Sequence, residues 1–410
     1  MTSSDTKKKR RRLKTLVFLI LSFVSICGLD LLRLKKRHHS STYAAENFGR
    51  SSEVLQQPVQ LTSKPGHHWF GYFDKSCENG NNIILAMKTK QIKALPPIDE
   101  LIQIGYINPV NKTNFFEVAQ TSAWNFQQGA MLQWLGGSNS FIFNRRQADG
   151  RLSSTIHTLG SNKIIEHPFP IYSVSFDGNL AALLDFKNIY LNRAEYGYFV
   201  KTVPTDGISQ HSSFGIKIFN FISHESPYYI LLEKDLWELA SSNVWESAVD
   251  PLSKQMYHSN FIFQDKISSC KRHIIHVQFS RSGTWLTFLY RVKCEYDKFK
   301  VKTYQFVMDT SGNNLWRVPR VIGSHHDFGW DEIFVNDGIG MWLVNVKSHH
   351  VMKLRSSLQM LPTGGHGTFA YGDFGSQNRE IILTDQRFWK VKWQKNSFVN
   401  LQELWVYIPK

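Results

Sequence analysis

Cysteine is scarce, with four residues in 410, and no Cys-x-x-Cys pair occurs, so no metal or redox site of that type is encoded. A glycine-rich phosphate loop is missing, as are a serine nucleophile elbow and the acidic motif of nucleotide-sugar transferases. The last absence argues against an ordinary Golgi glycosyltransferase. Long helical periodicity is rare, which removes helical bundles. Acidic residues near strand starts are few (Asp74, Asp185, Asp327 and Asp373), so hydrolysis by a pair of carboxylates ranks last among enzymatic readings. Apart from one N-terminal stretch, nothing approaches 18 consecutive apolar residues, which allows one membrane helix at most.

What is present is aromatic and basic. Hydrophobic residues make up 42% and aromatics 14%, enough to bury a core and weighted towards strands. The net charge of +15 suggests a polyanionic partner until its distribution is considered. Residues 1–37 hold eleven Lys/Arg against Asp5 and Asp30, so nine of those charges are N-terminal and the body is mildly basic. That excludes nucleic acid as the expected partner and leaves an acidic glycan or polysaccharide.

Thr15–Leu29 is uncharged and apolar, and Leu31 and Leu32 extend it. Eighteen residues at 1.5 Å rise span about 27 Å, enough for a thin bilayer. Seven Lys/Arg precede the run and four follow, which keeps the N-terminus cytosolic. The expected organisation is a cytosolic basic tail (1–14), a transmembrane signal anchor (15–32), a lumenal stem (33–64) and a folded domain (65–410). This describes a single-pass type II membrane protein facing the Golgi or ER lumen or the cell surface. A cleaved signal peptide is the competing reading. Asn111 heads the single glycosylation triplet. A hairpin turn near Ser280–Thr284 brings Cys270 opposite Cys294, which fits a cross-strand disulfide or two buried thiols.

From Pro65 onward short β-rich runs follow turns of Ser, Asp, Asn and Gly: FDKSCENGNNIILAMK, WLGGSNSFIFNRR, FDGNLAALLDF, FSRSGTWLTFLYR, FGWDEIFVND and YGDFGSQNREIILTD. One degenerate unit is expected around GIKIFNFISHESPYYILL. Repeats of 40–60 residues with this pattern predict an all-β, seven-bladed β-propeller. Six histidines have phenylalanine three residues on: His67, His211, His258, His276, His325 and His366. In HVQF, HHDF and HGTF the histidine starts a blade's first strand, and such positions converge at one channel mouth. His276, His325 and His366 are therefore either metal ligands or strand-start hydrogen-bonding groups.

The stretches HHWFGYFDKS, SAWNFQQGAMLQWL, FIFNRR, PIYSVSFDG, HIIHVQFSRSGTWLTFLYR, SHHDFGW and GGHGTF resemble propeller proteins related to oligogalacturonate lyases, of the TolB/WD40-like kind. The resemblance covers about residues 65–390. It implies a divalent cation, typically manganese, held by histidines and a glutamine. His276, His325 and His366 match the histidines, and Gln128 or Gln127 is the candidate glutamine. It also implies a lyase that removes the C5 proton of a uronate, the glycosidic oxygen leaving by β-elimination. A base and a carboxylate clamp are then required. The candidates are His68, Tyr72 and Lys75 for the base and Arg145 and Arg291 for the clamp. A non-catalytic glycan-binding or scaffold propeller of the secretory pathway is the rival expectation.

Overall fold

The computed structural model describes the chain outside positions 1–60, 63–64, 73, 81–82, 91–94, 109–113, 200–213, 242–269, 295–300, 320–324, 337–340, 354–365, 370–378, 385–386, 395–396 and 407–410. The described residues belong to one compact unit, Leu55–Ser356 with Pro362–Lys410. Strands dominate them, and none of their helices is long and apolar enough to cross a membrane. The apolar run at 15–32, the stem, Asn111, His211 and His258 lie outside the described residues.

Six four-stranded antiparallel meanders follow one another along the chain. The first holds β1 (His67–Trp69), β2 (Ile84–Thr89), β3 (Ile102–Ile107) and β4 (Phe115–Thr121). The second holds β5 (Gln133–Trp134), β6 (Ser140–Arg146), β7 (Leu152–Thr158) and β8 (Ile164–His167). In the third, β9 (Ser173–Val174) and β10 (Leu180–Leu183) are followed by helix α1 (Phe186–Asn192), then β11 (Gly215–Asn220) and β12 (Tyr228–Leu232). Helix α2 (Glu233–Ser241) leads on towards the fourth, β13 (Cys270–Phe279), β14 (Trp285–Cys294), β15 (Lys302–Asp309) and β16 (Trp316–Arg317). The fifth is β17 (His325–Phe328), β18 (Glu332–Asn336), β19 (Met341–Asn345) and β20 (His350–Lys353). The last is β21 (His366–Phe369), β22 (Arg379–Thr384), β23 (Arg387–Gln394) and β24 (Ser397–Val406).

The blade count differs from expectation for a clear reason. GIKIFNFISHESPYYILL is not a separate unit: Leu180–Leu183 pair with Asn220–Lys217, so β11 and β12 complete the sheet that β9 begins. A helical insertion between the second and third strands had made one blade look like two. Six sheets are described where seven blades were expected.

First strands of successive sheets touch in order, β5 to β9, β9 to β13, β13 to β17 and β17 to β21. This is the inner ring of a propeller. The second and fourth sheets bury both faces, so their residues alternate between two cores. In β6, Phe141 and Phe143 pack with Leu85, Met87 and Trp124, whereas Ile142 joins Ala182 and Ile216 on the other side. In β15, Phe306 packs in that larger core and Val307 faces Phe328 and Ile333 of the next blade. Two-sided burial explains the unbroken apolar runs FIF and FVM. Burying each such ring contributes roughly 1.5–3 kcal/mol.

The turns between first and second strands nest against one another. Gly178 has φ +78, and a Cβ there would stand 2.8 Å from the carbonyl carbon of Leu135 in the preceding blade's turn. Arg281 N–H donates to Gly329 O (2.8 Å), tying the fourth blade's turn to the fifth. Side chains also stitch the inner strands. Asn144 donates to Ile171 O and accepts from Ile171 N–H, both at 2.8 Å. Gln133 accepts from Val174 N–H (2.8 Å) and donates towards Tyr172 O (3.4 Å). The chain around Tyr172 is thus clamped from both sides.

Candidate functional site

The site is built on an irregularity in β13. Ile275 pairs with Leu289 and Gln278 with Thr287, so His276 and Val277 face one residue and form a β-bulge. His276 takes φ +55, the left-handed region in which a non-glycine residue is strained by about 1 kcal/mol or more. Its N–H is turned out of the ladder and donates to the Tyr172 hydroxyl at 2.9 Å. The same hydroxyl accepts from Gln128 Nε2 at 2.8 Å. Tyr172 is wholly buried, with the Lys75 ammonium 5.4 Å from its ring centroid. Lys75 pairs with Asp74 at 2.8 Å, both side chains being buried.

The His276 ring is enclosed by aromatics. Tyr72 stacks on it at 5.1 Å, Tyr196 meets it edge-on at 5.4 Å, and His326 does so at 6.5 Å. Both ring nitrogens of His276 are buried without a hydrogen-bond partner, as are Gln128 Oε1, Asp74 Oδ1 and His326 Nδ1. Burial, then Arg291 and other nearby cations, hold His276 well below the ordinary histidine range. His326 falls to about 4 through burial, although Asp74 and Asp327 oppose the shift. Asp327 accepts from Gln278 Nε2 at 2.7 Å. Burial keeps Tyr72 protonated, and Tyr196 and Asp74 add to the effect.

Arg291 in β14 lies opposite His273. It is 6% exposed, and its Nε and Nη1 are buried without a partner. No carboxylate among the described residues pairs with it. The nearest like charge, Arg193, stands 4.4 Å over Tyr196 and is itself paired with Glu195. Burial and Arg193 lower the pKa of Arg291, and Tyr196, Tyr72 and Tyr172 oppose the shift. Burial and Arg291 push His273 down to about 3. A desolvated guanidinium without a paired carboxylate retains hydrogen-bonding capacity suited to an anion.

Of the residues singled out from sequence, Tyr72, Lys75, Gln128, His276 and Arg291 come together. Arg145 does not: it is an exposed arginine paired with Glu166 at 2.7 Å. His68 lies in β1 opposite Lys88, its ring against Phe115 at 5.4 Å, and burial and Lys88 lower its pKa. The ring that meets His276 is His326, whereas His325 is the half-buried neighbour. The bulge explains this, because an extra residue between His276 and Phe279 shifts the spatial equivalent by one position. His366 begins β21, and its side chain is outside the described residues. Cys270 is disulfide-bonded and lies opposite Cys294 in the register, while Cys77 is free.

Among the described residues no group of three or more His, Cys, Asp or Glu converges as a metal site requires. Two imidazoles meet, and Lys75, Arg193 and Arg291 all act on His276. The described donors, two imidazoles and Gln128, do not by themselves complete the expected manganese site, whose further histidine, His366, has its side chain outside the described residues. Tyr172, Tyr196, Arg193, His273 and His326 were not singled out from sequence. The motif PIYSVS contained Tyr172 but gave no sign that its hydroxyl reaches a residue 104 positions away.

No protein-family model and no curated protein matches the chain. Among solved structures it is similar to a prolyl endopeptidase, with 7% identity and a TM-score of 0.35 over 82% of this chain and 42% of that one. It is similar to nidogen of a nidogen–laminin complex (7%, TM-score 0.35, 82% and 93%) and to the tricorn protease (10%, TM-score 0.36, 83% and 35%). The chain spans less than half of the prolyl endopeptidase and of the tricorn protease. The meanders and their inner ring define a protein of β-propeller type. No activity is taken from them.

Proposed function

We propose that the protein acts on an acidic polysaccharide, binding a uronate carboxylate at Arg291 and cleaving the glycan by β-elimination. The observation that supports this most is the buried guanidinium with no partner of its own, beside an imidazole with two unpartnered nitrogens. A carboxylate matches the first, and a weakly acidic carbon-bound proton the second. In this reading the C5–H proton passes to neutral His276. The electron pair it leaves forms the C4–C5 double bond, and the C4–O pair departs with the glycosidic oxygen. Tyr72, which burial keeps protonated, donates the proton that the leaving oxygen takes up. Arg291 stabilises the charge that grows on the carboxylate as the proton departs.

The apolar run at 15–32 would anchor the propeller as a type II protein with its site in the lumen of the secretory pathway. The test is to incubate the folded protein with pectic, ulvan-like and glycosaminoglycan chains and follow the unsaturated product near ~235 nm, with and without Mn²⁺ or a chelator. Turnover that survives chelation is expected. Turnover that requires Mn²⁺ would return the site to a metal set including His366. Saturable binding without turnover would make the protein a glycan-binding scaffold, and absence of both across all substrates would end the acidic-glycan reading.

A further inference from the structure

We infer that Tyr172 is the positioning residue of this site, holding His276 in its bulged conformation through the hydroxyl-to-backbone bond. The inference rests on the reading of His276 as the proton acceptor. Three observations carry it. His276 adopts a left-handed backbone in the middle of a strand, a conformation that is costly for a non-glycine residue and that a contact from outside the strand stabilises. The bulge removes His276 from the ladder, and its buried N–H is met by the Tyr172 oxygen at 2.9 Å. Tyr172 is in turn immobile. Its ring is fully buried, Asn144 grips Ile171 on one side, Gln133 grips Val174 on the other, and Gln128 fixes the hydroxyl.

The direction of these bonds matters. Both bonds recorded at the Tyr172 oxygen are accepted, from His276 N–H and from Gln128 Nε2. A phenol has two acceptor sites and one proton, so the oxygen is saturated and cannot exchange the His276 bond for another. Phenylalanine in its place preserves ring and volume while removing the acceptor. The strand then relaxes towards regular β geometry, and the imidazole leaves its stack on Tyr72. Displacements of about 1 Å at a reacting group cost roughly 100-fold in rate.

The experiment is Tyr172→Phe in the full chain, read by steady-state kinetics on the uronate substrate and by the NMR signals of the His276 imidazole. The expected result is a kcat lower by about 10–100-fold, with KM within about twofold, and a moved imidazole resonance. A purely structural role would lower thermal stability and leave both readouts in place, and that result overturns the inference. Should Tyr172→Phe fail to fold, Gln128→Leu loosens the same hydroxyl from its other side. It should move the same resonance, and an unchanged resonance is again fatal. If the wild-type protein shows no turnover, the elimination reading has failed. The resonance alone then decides whether Tyr172 sets the His276 geometry.

Discussion

Two buried arginines in one β-hairpin have opposite fates. Arg272 in β13 lies opposite Val292, and Arg291 is the next residue along β14, so the two point to opposite faces of the sheet. Arg272 is neutralised by Glu233 at 3.2 Å and lies 4.8 Å over Trp237, and Glu233 also receives the Tyr290 hydroxyl. Arg291 has tyrosines and imidazoles around it and no carboxylate paired with it among the described residues, although Glu195 lies within reach of its charge. The first arginine completes a structure, fastening α2 to the fourth blade. The second is buried without a direct counter-ion, a cost to the folded state that the proposed anion would offset. A buried ionic group should therefore be judged by whether its charge is balanced, not by its depth.

The contrast can be broken from either side. Arg272→Met leaves Glu233 buried and uncompensated, and urea denaturation should show a loss of about 3–5 kcal/mol. Arg291→Met should leave stability unchanged or higher while lowering turnover on uronate by about 100–1000-fold, roughly 2.7–4 kcal/mol. If both variants lost stability alike, Arg291 would be a structural residue and the anion reading would fall.

A further test concerns pH. His273 and His326 are held at about 3 and about 4 in the folded protein, with burial the leading cause, and His276 is held low in the same way. Unfolded, each titrates near ~6.5, so below that pH the unfolded chain binds more protons. Their stabilising contribution is fully present above pH ~6.5 and declines as pH falls towards the folded values. The slope is about 1.4 kcal/mol per pH unit for each histidine. Thermal unfolding between pH 8 and 4 measures it, and His326→Gln should flatten the curve. A profile already flat in the wild type would mean that these rings are solvated.

Much of the fold was legible because its cause is local. Apolar runs such as FIF and turns such as Asp177–Gly178–Asn179 declare strands buried on both faces and the hairpins between them. The site was legible by residue type but not by position. Arg145 and Arg291 both lie in an aromatic-rich second strand, and only the face each occupies separates an exposed ion pair from a buried guanidinium without a paired carboxylate. The bulge at His276 has no residue signature, so the His-x-x-Phe spacing pointed to His325 where the fold presents His326. Tyr172 was hidden because its role depends on a contact between blades.

The seam between the second and third blades has an evolutionary consequence. Asn144 and Gln133 grip backbone atoms of Ile171, Tyr172 and Val174, not their side chains. These bonds therefore persist whatever side chains stand at 171 and 174, whereas Tyr172 is tied by its hydroxyl as well. The two amides are not exchangeable in this way, since each gives and accepts a bond at once. Exchange of either for its acid would remove the donor and keep the acceptor. Variation among related chains should spare the two residues that grip, and Tyr172 between the residues they hold.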